Sequence, residues 1–290
     1  MQASKITKAL ERAQQERQKI QQRLVRRKKL MGEDLKAFEA TMSRDEQVLF
    51  TPVNTVNVDT INKGIHAYHD QHSHITEEYR IMRTNINSLN KQGALRVFLF
   101  SSSIENEGKT VSAINYGYTL ACDRSKKVVL LDCDLRKGTM SHYFGFASEQ
   151  RRGITDILQG DASLDDSLMD SGRPNFHLLF RGAMIDNPAE ALESKAMDRL
   201  LKELRKRYDY VIIDAPPVLP VTDAAVLADK TDGVLMVIRM GKTPKTTVQQ
   251  AFELLSQTRA NVLGCVLTNV EYYAPGYKKY YYYTYGASKN

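Results

Sequence analysis

The chain has 290 residues, 42% of them hydrophobic, which suits one large α/β domain with extensions, or at most two domains. No run of about 18 apolar residues occurs, so no transmembrane helix is predicted, and the N-terminal MQASKITKALERAQQERQ lacks an apolar signal-peptide core, which argues against export. The net charge of +7 is concentrated: residues 1–30 hold ten Lys/Arg against Glu11 and Glu16, a local charge of +8, so the rest of the chain is near neutral.

Residues 1–75 read as a basic, helical arm with a linker. The first thirty are strong helix formers without Gly or Pro, with sparse apolar positions (Ile6, Leu10, Ala13, Ile20, Leu24), some three or four apart. Such an arm suits peripheral contact with anionic lipid or a partner's cytoplasmic segment; a solvated helix is the plain alternative, and nucleic acid is not the expected partner. Residues 51–63, TPVNTVNVDTINK, read as linker, and His72 and His74 as a solvated loop. Cys122, Cys133 and Cys265 form no CxxC pair and are expected to be reduced, buried thiols.

Residues 76–270 carry apolar runs alternating with helical patterns: 97–100, 128–131, 176–180, 211–213, 234–238 and 262–267. Near-continuous apolar runs mean strands buried on both faces. Alternation with helices means a doubly wound, mostly parallel α/β sheet, whose ligands bind beyond the carboxyl ends of the strands. Three motifs fall at such ends. Ser103-Ile104-Glu105-Asn106-Glu107-Gly108-Lys109-Thr110 follows the first run and opens a helix. It fits the P-loop pattern in which backbone N–H groups cradle phosphates, a lysine neutralises them and a hydroxyl ligates Mg²⁺. Ser103 stands where the first glycine usually stands, so alone the match is imperfect. Asp132-Cys133-Asp134-Leu135-Arg136 ends the second run, and Asp214-Ala215-Pro216-Pro217 ends the fourth. Buried strand-end carboxylates are costly unless paired, and Mg²⁺ or a substrate hydroxyl is a natural partner. Asp223 either supports this site or starts a helix.

Residues 271–290, EYYAPGYKKYYYYTYGASKN, hold eight of the 15 tyrosines: Tyr272, Tyr273, Tyr277, Tyr280, Tyr281, Tyr282, Tyr283 and Tyr285. Aromatics beside Lys278 and Lys279 can stack on single-stranded nucleic acid, but the body shows no basic groove in its sequence.

Over residues 70–290 the sequence resembles the bacterial tyrosine kinases of exopolysaccharide and capsule biosynthesis, built on a P-loop ATPase fold of the deviant Walker type. The family's Walker A loop maps to Ser103–Thr110, its D-x-D-x-R motif to Asp132–Arg136, its Walker B to Val211–Pro217, and its E-x-x-R-x-x-R helix, which joins subunits into a ring, to Glu77, Arg80 and Arg83. The resemblance implies ATP and Mg²⁺ as cofactors. It implies nucleotide contacts from Ser103, Glu105, Asn106, Glu107, Gly108, Lys109, Thr110, Val111 and Asn269 (the last at the adenine), and metal ligation by Thr110, Asp132 and Asp214. It further implies catalysis by Lys109, Asp132, Asp134 and Asp214, and trans-autophosphorylation of the tyrosine cluster. Its expected partners are other copies of itself in a ring, with an octamer as the candidate size, a separate transmembrane chain-length regulator, and a cognate tyrosine phosphatase. Its expected place is cytoplasmic, against the inner face of the plasma membrane through that partner. Glu105-Asn106 departs from the family's Pro-Gly, and carboxylates at Glu105 and Glu107 are expected to weaken ATP binding. Two rivals share parts of the pattern. One is a nucleotide-driven dimerisation switch, which would carry a lysine where Ile104 stands; the other is a nucleotide-binding scaffold without turnover.

Overall fold

The computed structural model describes residues 54–90, 93–145 and 151–270. They belong to the second of two units into which the chain divides, Val53–Asn290. The basic arm up to residue 53 and the tyrosine cluster lie outside the described residues, and so do the expectations made for them.

Among the described residues eight strands form one sheet: β1 Asn54–Thr55, β2 Val97–Ser102, β3 Val128–Asp132, β4 Met169–Arg173, β5 Phe176–Leu179, β6 Tyr210–Asp214, β7 Gly233–Arg239 and β8 Val262–Thr268. Their order across the sheet is β1-β4-β5-β3-β6-β2-β7-β8. All pairings are parallel except β4 with β5. The helices are α1 His66–His69, α2 His74–Leu89, α3 Lys109–Leu120, α4 Ile154–Gln159, α5 Leu164–Ser167, α6 Pro188–Glu193, α7 Lys195–Arg207, α8 Asp223–Ala228 and α9 Lys245–Ser256.

The six apolar runs are β2, β3, β5, β6, β7 and β8; β2, β3 and β6 are buried throughout, whereas β8, at the edge of the sheet, leaves Cys265 and Leu267 exposed, so the expectation of burial on both faces fails for that run. Val97, Leu99, Val211 and Ile213 point into one core with Met197, Leu200 and Leu204 of α7 and Leu255 of α9. Phe98, Phe100, Leu130 and Ile212 point into the other with Ile114, Tyr116 and Tyr118 of α3. Successive residues of a strand face opposite ways, so a strand between two helical layers has no position left for a polar side chain.

Two strands had no such signal. β4 (Met-Asp-Ser-Gly-Arg) pairs with β5 as a hairpin, and β1 has two residues beside β4. The segment read as linker is partly body. Val56, Ile61, Ile65 and Ala67 are buried in the α3-side core. The buried Asn115 of α3 pins the segment by accepting the Ala67 N–H at 2.9 Å and donating to the Gly64 carbonyl at 3.1 Å. Isolated apolar residues between polar ones gave no period to read. The folded body therefore begins ahead of residue 76. His74 is not in a loop but opens α2, which Ser73 caps by accepting the Thr76 N–H at 3.2 Å. Burial of the thiols holds for Cys133 alone: Cys122 is half-buried and Cys265 exposed.

Candidate active site

The sheet order puts β3, β6 and β2 side by side, so three strand ends converge. Asp132 and Asp214 are register partners across β3 and β6, and Asp214 is level with Phe100 of β2. The loop after β2 turns through two left-handed residues, Asn106 (φ 59°) and Gly108 (φ 95°). Asn is among the few non-glycine residues that enter this region at low cost. At Gly108 a Cβ would meet Thr268 Cγ2 at 3.4 Å, an ordinary contact, so the left-handed backbone and not lack of space calls for glycine there.

Glu107 organises this loop. Its buried carboxylate accepts the Ile104 N–H at 2.8 Å, the Arg239 N–H at 3.2 Å and the Thr243 hydroxyl, and its carbonyl accepts the Thr268 hydroxyl at 2.7 Å. Glu105 turns its carboxylate to Lys137 at 2.6 Å, and its carbonyl accepts from Lys242 at 2.7 Å. Both acids therefore have partners within the protein. Ser103 is fully buried, and its Oγ has no hydrogen-bond partner.

Lys109 and Thr110, at the start of α3, face the acids. Lys109 Nζ lies 3.1 Å from Asp134 Oδ2 and 3.4 Å from Asp214 Oδ1, and the Thr110 hydroxyl donates to Asp214 Oδ2 at 2.7 Å. Asp132 accepts the Met140 N–H at 3.2 Å through Oδ2, while its Oδ1 has no partner. Three buried carboxylates thus surround one buried ammonium. Burial opposes the Lys109 charge, but Asp214 and Asp134 outweigh it and hold the lysine well above its ordinary range. Burial, then repulsion from Asp214, push the Asp132 carboxyl well up. Burial also raises Asp214, against the pull of Lys109 and the Thr110 hydrogen bond.

Beside the loop lies a cavity of about 940 Å³ between α2, the phosphate loop and β8, lined in part by Tyr79, Asn106, Gly108, Val111, Arg239 and Asn269. Asn269 has φ 61° and donates to the Met240 carbonyl at 3.4 Å. Of the three residues assigned to subunit contacts, Glu77 and Arg80 pair with each other at 3.0 Å on the surface of α2. Arg83 instead donates to the Thr119 carbonyl in the last turn of α3 at 2.8 Å. Arg136 forms a two-pronged pair with the buried Asp223 at 2.9 and 3.0 Å. Arg239 and Thr243 escaped sequence reasoning. They meet Glu107 from more than 130 positions away, with no motif to mark them.

A doubly wound parallel sheet with a Gly-Lys-Thr loop opening a helix, and aspartates on the two neighbouring strand ends, defines a P-loop ATPase. The family profile described as AAA domain matches residues 105–263. Tyrosine-protein kinase YwqD of Bacillus subtilis is 35% identical over 192 residues, covering 66% of this chain and 80% of that protein. Tyrosine-protein kinase CpsD of Streptococcus pneumoniae serotype 4 is 34% identical over 195 residues, covering 67% and 84%. Among solved structures, the kinase domain of the Escherichia coli tyrosine kinase ETK superposes with a TM-score of 0.67 at 28% identity, over 71% of this chain and 80% of that one. The cell division ATPase MinD of Pyrococcus furiosus, with a TM-score of 0.50 at 24% identity, shares the fold alone. The chain belongs to the bacterial tyrosine-protein kinases, and ATP-dependent phosphorylation of protein tyrosine is the activity of that family.

Proposed function

We propose that the protein uses Mg-ATP to phosphorylate the tyrosines of its own C-terminal cluster, in trans between copies of a homo-oligomeric ring, and that this controls exopolysaccharide or capsule polymerisation and export. The observation that carries the reading is the meeting of Lys109, Thr110, Asp132, Asp134 and Asp214 at one end of the sheet, beside a cavity whose wall includes Val270, the residue just ahead of the tyrosine-rich segment 271–290.

The donors present fit Mg²⁺. Asp132 Oδ1 is buried without a partner, and the three carboxylates outnumber the one lysine. Mg²⁺ at nucleotide sites is commonly held by one or two carboxylates and the nucleotide phosphates. Thr110, Asp214 and Asp132 would hold it, and when bound it supplies charge neutralisation at the β- and γ-phosphates. Loop N–H groups from Asn106 to Thr110 and the Lys109 ammonium bind the same phosphates. Asp132 or Asp134 accepts the proton of the incoming phenol, whose pKa is about 10. The new bond joins the phenolic oxygen to the γ-phosphorus, and the bond to the β-phosphate oxygen breaks with ADP as leaving group.

Glu77 and Arg80 offer a paired, half-exposed face to a neighbouring copy. Arg83 is better suited to holding α2 on α3. Among the described residues no helix is long and apolar enough to cross a membrane. The reading includes a membrane-spanning chain-length regulator, a cognate phosphatase and a position beside the inner membrane face as proposed partners and place, with the basic arm as a further lipid contact. The test is anti-phosphotyrosine detection with intact mass after Mg-ATP, for wild type, Lys109→Met and a truncation after Val270. Multiple phosphates on wild type alone support the reading. A wild type that binds ATP and stays unmodified, even with the regulator's cytoplasmic segment added, sinks it in favour of a switch or scaffold.

A further inference from the structure

Arg136 has no part in the reaction as laid out above, yet its side chain is specifically placed. After β3 the chain makes a tight turn: the Lys137 N–H reaches Asp134 Oδ1 at 3.2 Å, and the Gly138 N–H reaches the Asp134 carbonyl at 2.7 Å. Arg136 stands inside this turn and sends its guanidinium to a different part of the chain. Nε donates to Asp223 Oδ2 at 2.9 Å and Nη2 to Asp223 Oδ1 at 3.0 Å. Asp223 is fully buried and is the first residue of α8, where the chain re-enters a helix after the loop that leaves Asp214. One planar fork thus takes both oxygens of one buried carboxylate, a geometry lysine does not reproduce. Asp223 is buried but the Arg136 side chain is 42% exposed, and an ion pair open to solvent on one side is no efficient route to stability. Its use lies in what it joins. On one side is the turn that carries Asp134, which sits on Lys109. On the other is the exit from Asp214, which sits on both Lys109 and Thr110.

We propose that Arg136 and Asp223 together form a positioning clamp for phosphoryl transfer to tyrosine. The clamp locks the two acid-bearing loops to each other and so fixes the Asp134 carboxylate relative to Lys109 and Asp214. Arg136 acts through Asp134, two residues away, and touches neither nucleotide nor acceptor. The inference rests on the tyrosine-kinase reading.

The test uses the full chain with Mg-ATP. It measures the initial rate of phosphotyrosine formation, the KM for ATP, the affinity for a fluorescent ATP analogue and the melting temperature. The variants are Asp223→Asn, Arg136→Lys, Arg136→Met and the double Arg136→Met/Asp223→Asn. Arg136→Met strands a buried carboxylate, so the double variant, with both charges removed, is the arm in which folding is safe. Each single variant is expected to lower kcat about tenfold, equivalent to about 1.4 kcal/mol. KM and nucleotide affinity stay within about threefold, and the double loses no more than the worse single, the non-additivity of a pair that works as a unit. Arg136→Lys recovers only a minor part. Losses that multiply in the double variant overturn the proposal. So does an Arg136→Met that raises KM while Asp223→Asn is silent, since the guanidinium would then bind nucleotide directly. So does a loss of rate that disappears when each variant is assayed well below its own melting temperature. A wild type without phosphotyrosine defeats the kinase reading itself, whereas an active wild type matched by an equally active Asp223→Asn defeats only the clamp.

Discussion

Glu107→Gln is predicted to weaken ATP binding, although it removes a negative charge beside a phosphate site. Simple charge repulsion gives the opposite sign, so the substitution separates two physical accounts. In the structure the Glu107 carboxylate is only 1% exposed and accepts from the Ile104 N–H, the Arg239 N–H and the Thr243 hydroxyl. An amide keeps one oxygen and puts an NH₂ donor in place of the other. If the oxygen stays on Ile104, the NH₂ can serve Thr243, whose hydroxyl accepts as well as donates, but it confronts the Arg239 N–H. One buried backbone donor is then left without a partner, at a cost of about 1–3 kcal/mol. The Glu107 carbonyl is itself held by Thr268, so the strain falls on the backbone from Ile104 to Gly108, which leads into the Asn106–Thr110 N–H groups that the proposed function assigns to the phosphates. If about 1.4 kcal/mol of that cost appears in binding, ATP affinity drops about tenfold. Calorimetric titration of the wild type and Glu107→Gln with Mg-ATP, at low and high salt, is the assay. A Glu107→Gln protein that binds ATP as tightly as wild type, or more tightly at low salt, refutes the brace and restores repulsion.

Glu105→Gln should change ATP affinity and melting temperature little, because its pair with Lys137 is half-exposed on both sides and such pairs contribute about 1 kcal/mol or less; a loss equal to that of Glu107→Gln in the same titration would contradict this. Lys109→Met should abolish phosphotyrosine and also destabilise the fold by about 3–5 kcal/mol, since it strands buried carboxylates at Asp134 and Asp214, so urea unfolding must accompany the activity assay. Arg83→Ala should loosen α2 from α3 at a cost of about 1.5–3 kcal/mol, because a charge-assisted bond to the Thr119 carbonyl is lost. An unchanged melting temperature with a lost oligomer would instead return Arg83 to the subunit interface. Asp232 supplies the pH dependence. Burial works against its charge but is outweighed by Arg205 and by the Arg96 and Val97 N–H groups, so its carboxyl lies below its ordinary 3.8. A depressed folded pKa gives stability that is present above 3.8 and lost as pH falls through the folded value. Asp232→Asn should therefore be less stable than wild type at neutral pH, and the gap in melting temperature should close below about pH 4; a gap that persists in acid argues against the pairing.

The parts of this protein that announced themselves are those where burial leaves few choices. A strand enclosed by helices on both sides must be apolar throughout, so β2, β3 and β6 were legible, and an aspartate ending such a strand stands out because it has no inexpensive reason to be there. The Gly-Lys-Thr loop was legible because positive φ and phosphate approach restrict the residue types. What stayed hidden was whatever depends on a distant partner. Nothing near Glu107 shows that Arg239 and Thr243 will meet its carboxylate, so in sequence it looked like an awkward charge. Residues 51–63 were taken for linker because Val56 and Ile61, like Ile65 just beyond, are spaced without period, although all three join the core that includes Ile114 and Tyr118 of α3. β4 is polar and gains its place from hairpin pairing with β5 rather than from burial.

The wiring of the phosphate loop also bears on the kind of ATPase this is. Where a switch-type relative would carry a lysine, this chain has Ile104, and the Ile104 N–H is spent on Glu107 inside the same loop. Through Glu107 the loop is fastened to the β7–α9 connection at Arg239 and Thr243, and through the Glu107 carbonyl to the end of β8 at Thr268. The loop is thus set by its own chain, from elements already fixed in the sheet, and needs no side chain from a neighbouring copy to reach its shape. On the acid side Arg136 and Asp223 tie the loops that carry Asp134 and Asp214 in the same manner. Under the proposed function, two preset halves, one for phosphate and the other for the bases, would leave the acceptor tyrosine as the component a neighbouring copy has to deliver, and assembly of the proposed ring would control the rate at that step.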